Sequence, residues 1–209
     1  MKTRATSKSD LLLSRAKAGD AQAIEALFSL YQNYVRLLAA SQLRAKLRTR
    51  VSASDVVQDT FMKAHRGFEE FRGKTGGEFV VWLRSILSRQ IQTLYEQHVT
   101  VQSRDVRREV SLEEIGKWVD RSSTKLEAVL IGSDPSPGTK LQNHERMLRV
   151  ADAIAQLSVD HREVLLLRSV EELGYKEIAE RMQRSHGAVR MLWLRSIEAL
   201  RDKLAEDNE

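Results

Sequence analysis

The chain has 209 residues, 42% of them hydrophobic, with 34 Lys and Arg against 29 Asp and Glu for a formal net charge of +5. This length suits one medium domain or two small ones. No apolar run approaches the roughly 18 residues that a membrane span needs. There are no cysteines, which excludes disulfides and thiolate metal sites and fits the cytoplasm.

The N-terminal "MKTRATSKSD" is basic but has no apolar stretch after it, so no secretory signal is expected. From Asp10 to Leu47 the apolar residues recur at helical spacing (Leu13, Ala16, then Ile24, Leu27, Phe28, Tyr31, Tyr34, Val35 and Leu38). Gly19-Asp20 separates two helices there, with Asp20 placed to cap the second. A third helix is predicted from Ser54 to about Gly67 and a fourth from Glu78 to about His98. Between them "FRGKTGG" (Phe71–Gly77) contains three glycines and reads as a loop. Phe79, Trp82, Leu83 and Ile86, at i, i+3, i+4 and i+7, read as a core face rather than a base-stacking surface.

Residues 99–140 are mixed. Ser111-x-x-Glu114 opens a short helix over Ser111–Ser122. Both prolines of the chain, Pro135 and Pro137, fall in "GSDPSPG", the clearest linker in the sequence. Beyond it, Leu141–Leu157 is helical, Ser158 caps a helix through Arg168, and Gly174 caps one through Met182. A last helix runs from about Ser185 to Leu204. The expected fold is all-α, with two small helical domains (10–98 and 141–206) joined by a flexible linker (99–140).

Charge is unevenly shared. Residues 1–98 carry 16 Lys and Arg against 9 Asp and Glu, whereas residues 141–209 carry 11 against 13. A basic first half points to a polyanion partner such as nucleic acid. The second half carries its own signal in Glu172–Leu204, which reads as helix, tight turn, helix. Ile178, Ala179 and Val189 face inward, and the small Ala179 allows close helix approach. The second helix opens with Ser185-His186-Gly187-Ala188, a capping hydroxyl followed by small residues that admit a phosphate. Arg181, Arg184, Arg190 and Arg195 surround it, as a helix entering the major groove requires. A plain helical hairpin with solvated arginines has the same spacing.

"SASDVVQDTF" (Ser52–Phe61) places two acids and an amide on this basic half. Ser52-x-x-Asp55 fits a capping box. Asp55, Gln58 and Asp59 share one outer face at i, i+3 and i+4, opposite Val56, Val57 and Phe61. An i, i+4 carboxylate pair can hold a divalent ion, but neither a histidine nor a third acid lies nearby in sequence, and the five histidines have no ligand spacing. Neither a metal nor a cofactor is expected. An acidic patch on a basic module is better placed for a protein than for DNA.

"LSVDHREVLLLR" and "ELGYKEIAERMQRSHGAVRMLWLRSIEALRDKL" resemble the region 4 helix-turn-helix of bacterial RNA polymerase sigma factors. "SDVVQDTFMKAH" and "FRGKTGGEFVVWLRSIL" resemble their region 2, and the lack of a region 3 between them resembles the extracytoplasmic-function group. The resemblance implies a non-catalytic initiation subunit that binds core RNA polymerase and promoter DNA. It implies that Asp55, Gln58 and Asp59 face the polymerase. The Phe71–Gly77 loop, with Arg72 and Lys74, would lie near the melted −10 strand, and Arg84 and Arg89 nearby. Arg184, Ser185, His186, Gly187, Ala188 and Arg190 would approach the −35 element. Many such proteins are held by an anti-sigma factor, but no residue here identifies one. Some positions depart from the family pattern. Gln183 stands at the turn glycine, Ser158 at a proline and Arg89 at an asparagine, so no −10 preference is carried over. Met191-Leu192 replaces a Ser-Arg pair and, with Trp193 and Leu194, lengthens an apolar strip able to pack on the helices of residues 141–170. Two other classes fit part of the chain. A stand-alone helix-turn-helix regulator explains Glu172–Leu204 only, and a helical enzyme or metal carrier explains Asp55 and Asp59 only.

Overall fold

The computed structural model describes residues 7–46, 52–99, 117, 121 and 140–206. All regular structure among them is helical. Four helices form the N-terminal bundle: α1 (Lys8–Lys17), α2 (Ala21–Lys46), α3 (Ala53–Arg66) and α4 (Gly76–Val99), with a 3-10 turn at Phe68–Glu70. Four more follow: α5 (Lys140–Gln156), α6 (Val159–Ser169), α7 (Tyr175–Met182) and α8 (His186–Glu206). The short helix expected over Ser111–Ser122 and the proline linker lie outside the described residues, apart from Lys117 and Arg121.

The starts of these helices are written in short polar side chains. Asp20 accepts from Ala23 N–H at 3.1 Å, Ser158 from His161 N–H at 3.4 Å and Ser185 from Ala188 N–H at 3.2 Å. Each satisfies a donor that the first helical turn leaves unpaired. Ser52 caps α3 as expected, but its Oγ takes the Ser54 N–H at 3.1 Å, while the Asp55 N–H goes to the Ser52 carbonyl. The cap therefore forms without the Ser52–Asp55 box, and the Asp55 carboxylate stays in solvent.

The bundle core is aromatic. Tyr31 and Phe79 are fully buried with ring centroids 5.0 Å apart, and Phe28, Phe68 and Phe71 close around Phe79 at 5.5–6.1 Å. Edge-on arrangements dominate, as ring quadrupoles favour. Phe79, Leu83 and Ile86 are buried as expected, while Trp82 is only partly covered.

The linker does not divide the core. Met147, Leu148, Ala151 and Ile154 of α5 are buried in the same hydrophobic cluster as the N-terminal bundle, together with Leu165 and Leu166 of α6 and Leu200 of α8. Polar contacts bind α5 to the first module: Asn33 donates to Asp152 at 2.8 Å, the Lys8 N–H donates to Glu145 at 2.8 Å, and Tyr31 Oη meets His144 Nε2 at 2.8 Å. A second, smaller cluster (Val164, Leu167, Ile178, Ala179 and Val189) holds α7 and α8 on α6.

Candidate nucleic-acid and partner-binding surfaces

The α7–α8 hairpin is built around three buried side chains, Ile178, Ala179 and Val189. The chain turns between the helices at Gln183, which takes φ 54° and ψ 45°. That left-handed conformation is one a side chain disfavours. The turn projects Arg184 through Ala188 outward, and all five are exposed, as is Arg190. A Cβ on Gly187 would meet open space, so a ligand can approach the backbone of the first turn of α8. His186 stands edge-on to Tyr175, with ring centroids 6.0 Å apart. Arg184 is ion-paired with Asp160, across from α6, whereas Arg190 has no ion pair among the described residues. The apolar strip is divided: Leu192 and Trp193 pack inward, while Met191 and Leu194 stay 49% and 48% exposed.

On α3 the amphipathic pattern is carried through. Val56, Val57, Thr60 and Ala64 are buried, and Asp55, Gln58 and Asp59 share the exposed face. Among the described residues, no three or more His, Asp or Glu side chains come together in a way that could hold a metal ion.

The "FRGKTGG" segment is more ordered than its glycines imply. Gly76 and Gly77 belong to the first turn of α4, two residues earlier than the sequence predicts. Glu78 accepts from the N–H groups of Lys74 and Thr75 at 2.6 and 3.0 Å, and Thr75 Oγ1 accepts from the Glu78 N–H at 3.2 Å. These backbone donors hold the Glu78 carboxyl below its usual pKa. Gly76 N–H donates to Asp10 at 2.7 Å, and its carbonyl accepts from Tyr31 Oη at 3.0 Å. A side chain at Gly76 would run into Ser9 and Tyr31, and one at Gly73 into Phe71. These glycines serve close packing, and the segment is pinned to α1, α2 and α4 at once.

The four basic candidates of this region separate. Arg72 and Lys74 are exposed on the pinned segment. Arg84 turns to the opposite side of α4, where its Nε donates to Tyr34 Oη at 2.7 Å and its guanidinium lies over that ring. Arg89 instead lines a cavity of about 370 Å³ together with Lys63, Gly67, Glu70, Trp82, Ile86, Gln90 and Thr93. Sequence reading singled out only Arg89 of these as a site residue. Lys63, Glu70 and Gln90 were missed because the cavity is assembled from α3, the 3-10 turn and α4, and no local motif marks it. Trp82, partly exposed within an otherwise buried face, is the one signal that could have found it.

Residues 30–99 match the family described as Sigma-70 region 2, and residues 147–200 that described as Sigma-70, region 4. Over 193 residues the chain is 32% identical to an ECF RNA polymerase sigma-E factor of Haemophilus influenzae, covering 92% of this chain and 93% of that protein. It is 30% identical over 189 residues to an RNA polymerase sigma-H factor of Pseudomonas aeruginosa, covering 90% of each. It is 27% identical over 194 residues to an ECF RNA polymerase sigma-E factor of Escherichia coli, covering 93% of each.

Proposed function

This chain belongs to the extracytoplasmic-function group of the sigma-70 family of RNA polymerase sigma factors, and from that premise we propose how its surfaces divide the work of a promoter-specific transcription initiation factor. The α3 face of Asp55, Gln58 and Asp59 docks on core RNA polymerase. The first turn of α8, with Ser185, His186, Gly187, Ala188 and Arg190, enters the major groove of the −35 element, and Arg184 reaches phosphate when it leaves Asp160. The α3–α4 cavity takes a base turned out of the opening −10 strand, while Arg72 and Lys74 hold the backbone outside it. Arg84 supports this surface from within by fixing Tyr34.

Duplex opening exposes bases whose faces need a lining and whose phosphates need cations. Trp82 and Ile86 supply an apolar lining, and Lys63 and Arg89 supply charge at the same cavity. The observation that carries the reading is the placement of polar recognition groups on exposed surface in both motif regions, on α3 and on the first turn of α8, opposite side chains that are buried in the core. A stand-alone operator-binding protein would need the α8 surface alone and gives no use to the acidic α3 face or the cavity.

Run-off transcription with core polymerase on genomic DNA tests the reading directly. Start sites that depend on the added chain are expected, and their upstream sequences define the promoter. A chain that shifts duplex DNA alone but neither co-elutes with core polymerase nor supports initiation would be a regulator of another kind. Asp55→Ala with Gln58→Ala should weaken co-elution with core by about tenfold or more while leaving the melting temperature unchanged, since both side chains are exposed.

A further inference from the structure

We propose that the α3–α4 cavity selects guanine, through Glu70 and Arg89 acting on two edges of the same base. The proposal rests on the reading of this cavity as the acceptor of an unpaired −10 base and adds the identity of that base.

Three observations carry it. Gln90 is only 7% exposed and lines the cavity, and its amide, which makes no hydrogen bond to another described residue, is open to the cavity. An amide that faces the cavity with both donor and acceptor capacity can pair with an occupant. Secondly, Glu70 and Arg89 line the same cavity, and neither is ion-paired with the other or with any further described residue. A carboxylate and a guanidinium are thus both available to one occupant. Thirdly, Trp82 and Ile86 add apolar surface to a mostly polar lining, and the volume of about 370 Å³ accommodates a purine.

The choice among bases follows from donor and acceptor geometry. A carboxylate only accepts, and with two oxygens it pairs best with two adjacent N–H groups. A guanidinium only donates, and its fork fits two adjacent acceptors. Guanine alone offers both: N1–H and N2–H₂ side by side on one edge, O6 and N7 on the other. Adenine and cytosine each present a single amino group to Glu70, and thymine a single N–H. The Gln90 amide, both donor and acceptor, can serve whichever atom remains.

The test uses the full chain with core polymerase and a pool of duplexes carrying a pre-opened bubble whose non-template strand is randomised across the −10 region. Bound DNA is recovered and sequenced. Guanine should be enriched about tenfold or more at one position, as bidentate base contacts allow. Arg89→Ala, Arg89→Lys and Glu70→Gln should each erase that preference and leave the other positions unchanged. Loss with Arg89→Lys shows that the fork, and not the charge alone, is needed. A Gly67→Leu variant fills the cavity wall, where φ of −91° tolerates a side chain. If Gly67→Leu abolishes the preference at one position and that base is not guanine, the guanine assignment falls while the cavity reading survives. If it leaves every positional preference intact in a folded, core-binding protein, the cavity reading falls and the proposal with it. Enrichment of guanine that survives Arg89→Ala would also overturn the proposal.

Discussion

Single residues set the local geometry of each surface, and two of them invite direct measurement. Gln183 holds a left-handed conformation, φ 54°, where the family pattern has glycine. The residue's Cβ makes that turn unfavourable, by about 1–2 kcal/mol for an ordinary side chain. Gln183→Gly should therefore stabilise the chain by about 0.5–1 kcal/mol once the greater freedom of unfolded glycine is deducted. Urea denaturation reads this as a higher midpoint at constant slope, and an unchanged or lowered midpoint would show that the turn is not strained. Gly76 is the converse case. It sits against Ser9 and Tyr31 with no room for a methyl group, so Gly76→Ala should cost about 1–3 kcal/mol in the same measurement. Arg84 and Arg89 illustrate why residue identity was not enough to define the site. Five positions apart on one helix, they point about 140° from each other, and only the packing of α4 on Tyr34 settled which arginine reached the cavity.

At the scale of helices, caps and amphipathic faces explain most of what was readable from the sequence. Asp20, Ser158, Ser185 and the Gly174 start of α7 were all placed by spacing alone, since a cap needs only a short polar residue or a glycine before a periodic run; the Glu177 carboxylate that accepts from Gly174 N–H was not foreseen. The start of α4 was misread because three glycines look like a loop, whereas Thr75 and Glu78 form a reciprocal cap across two of them. Both Glu78 and Asp20 have carboxyls held below their usual pKa, chiefly by backbone N–H donors: Lys74 for the first and Ala23 for the second. A group whose pKa is lower folded than unfolded stabilises the fold above its unfolded pKa and loses that contribution as pH falls through the folded value. The melting temperature should accordingly drop as pH is taken from neutral to below about 4. Glu78→Gln should remove part of that dependence, and an unaltered pH profile in the variant would mean that the cap does not persist in solution.

For the whole molecule, the notable feature is that the main core crosses from the first module into α5, α6 and α8. Burial holds the Tyr31 phenol well above its usual pKa, so it stays protonated and donates to the Gly76 carbonyl; its oxygen is then left to accept from the His144 ring. One side chain thus joins the start of α4 to the start of α5. Leu148 is 3% exposed at this junction, and Leu148→Ala should cost about 2–5 kcal/mol. With one continuous core the loss should lower a single melting transition followed by far-UV circular dichroism. Two transitions, only one of them shifted, would show that the modules unfold apart.

The sequence by itself determined the helices, most of their caps, the buried stripe of each amphipathic element and the family, because all of these depend on residues within a few positions of one another. It also singled out the acids of α3 and the first turn of α8 as exposed, because the helical period leaves them outside. Tertiary structure alone decided which basic residues meet at the cavity, that Gln90 lines it, and that α5 shares the core of the first module. Those outcomes depend on how α3, the 3-10 turn and α4 approach one another, and on the fit of α5 against α2. Such long-range packing leaves no periodic trace in the chain.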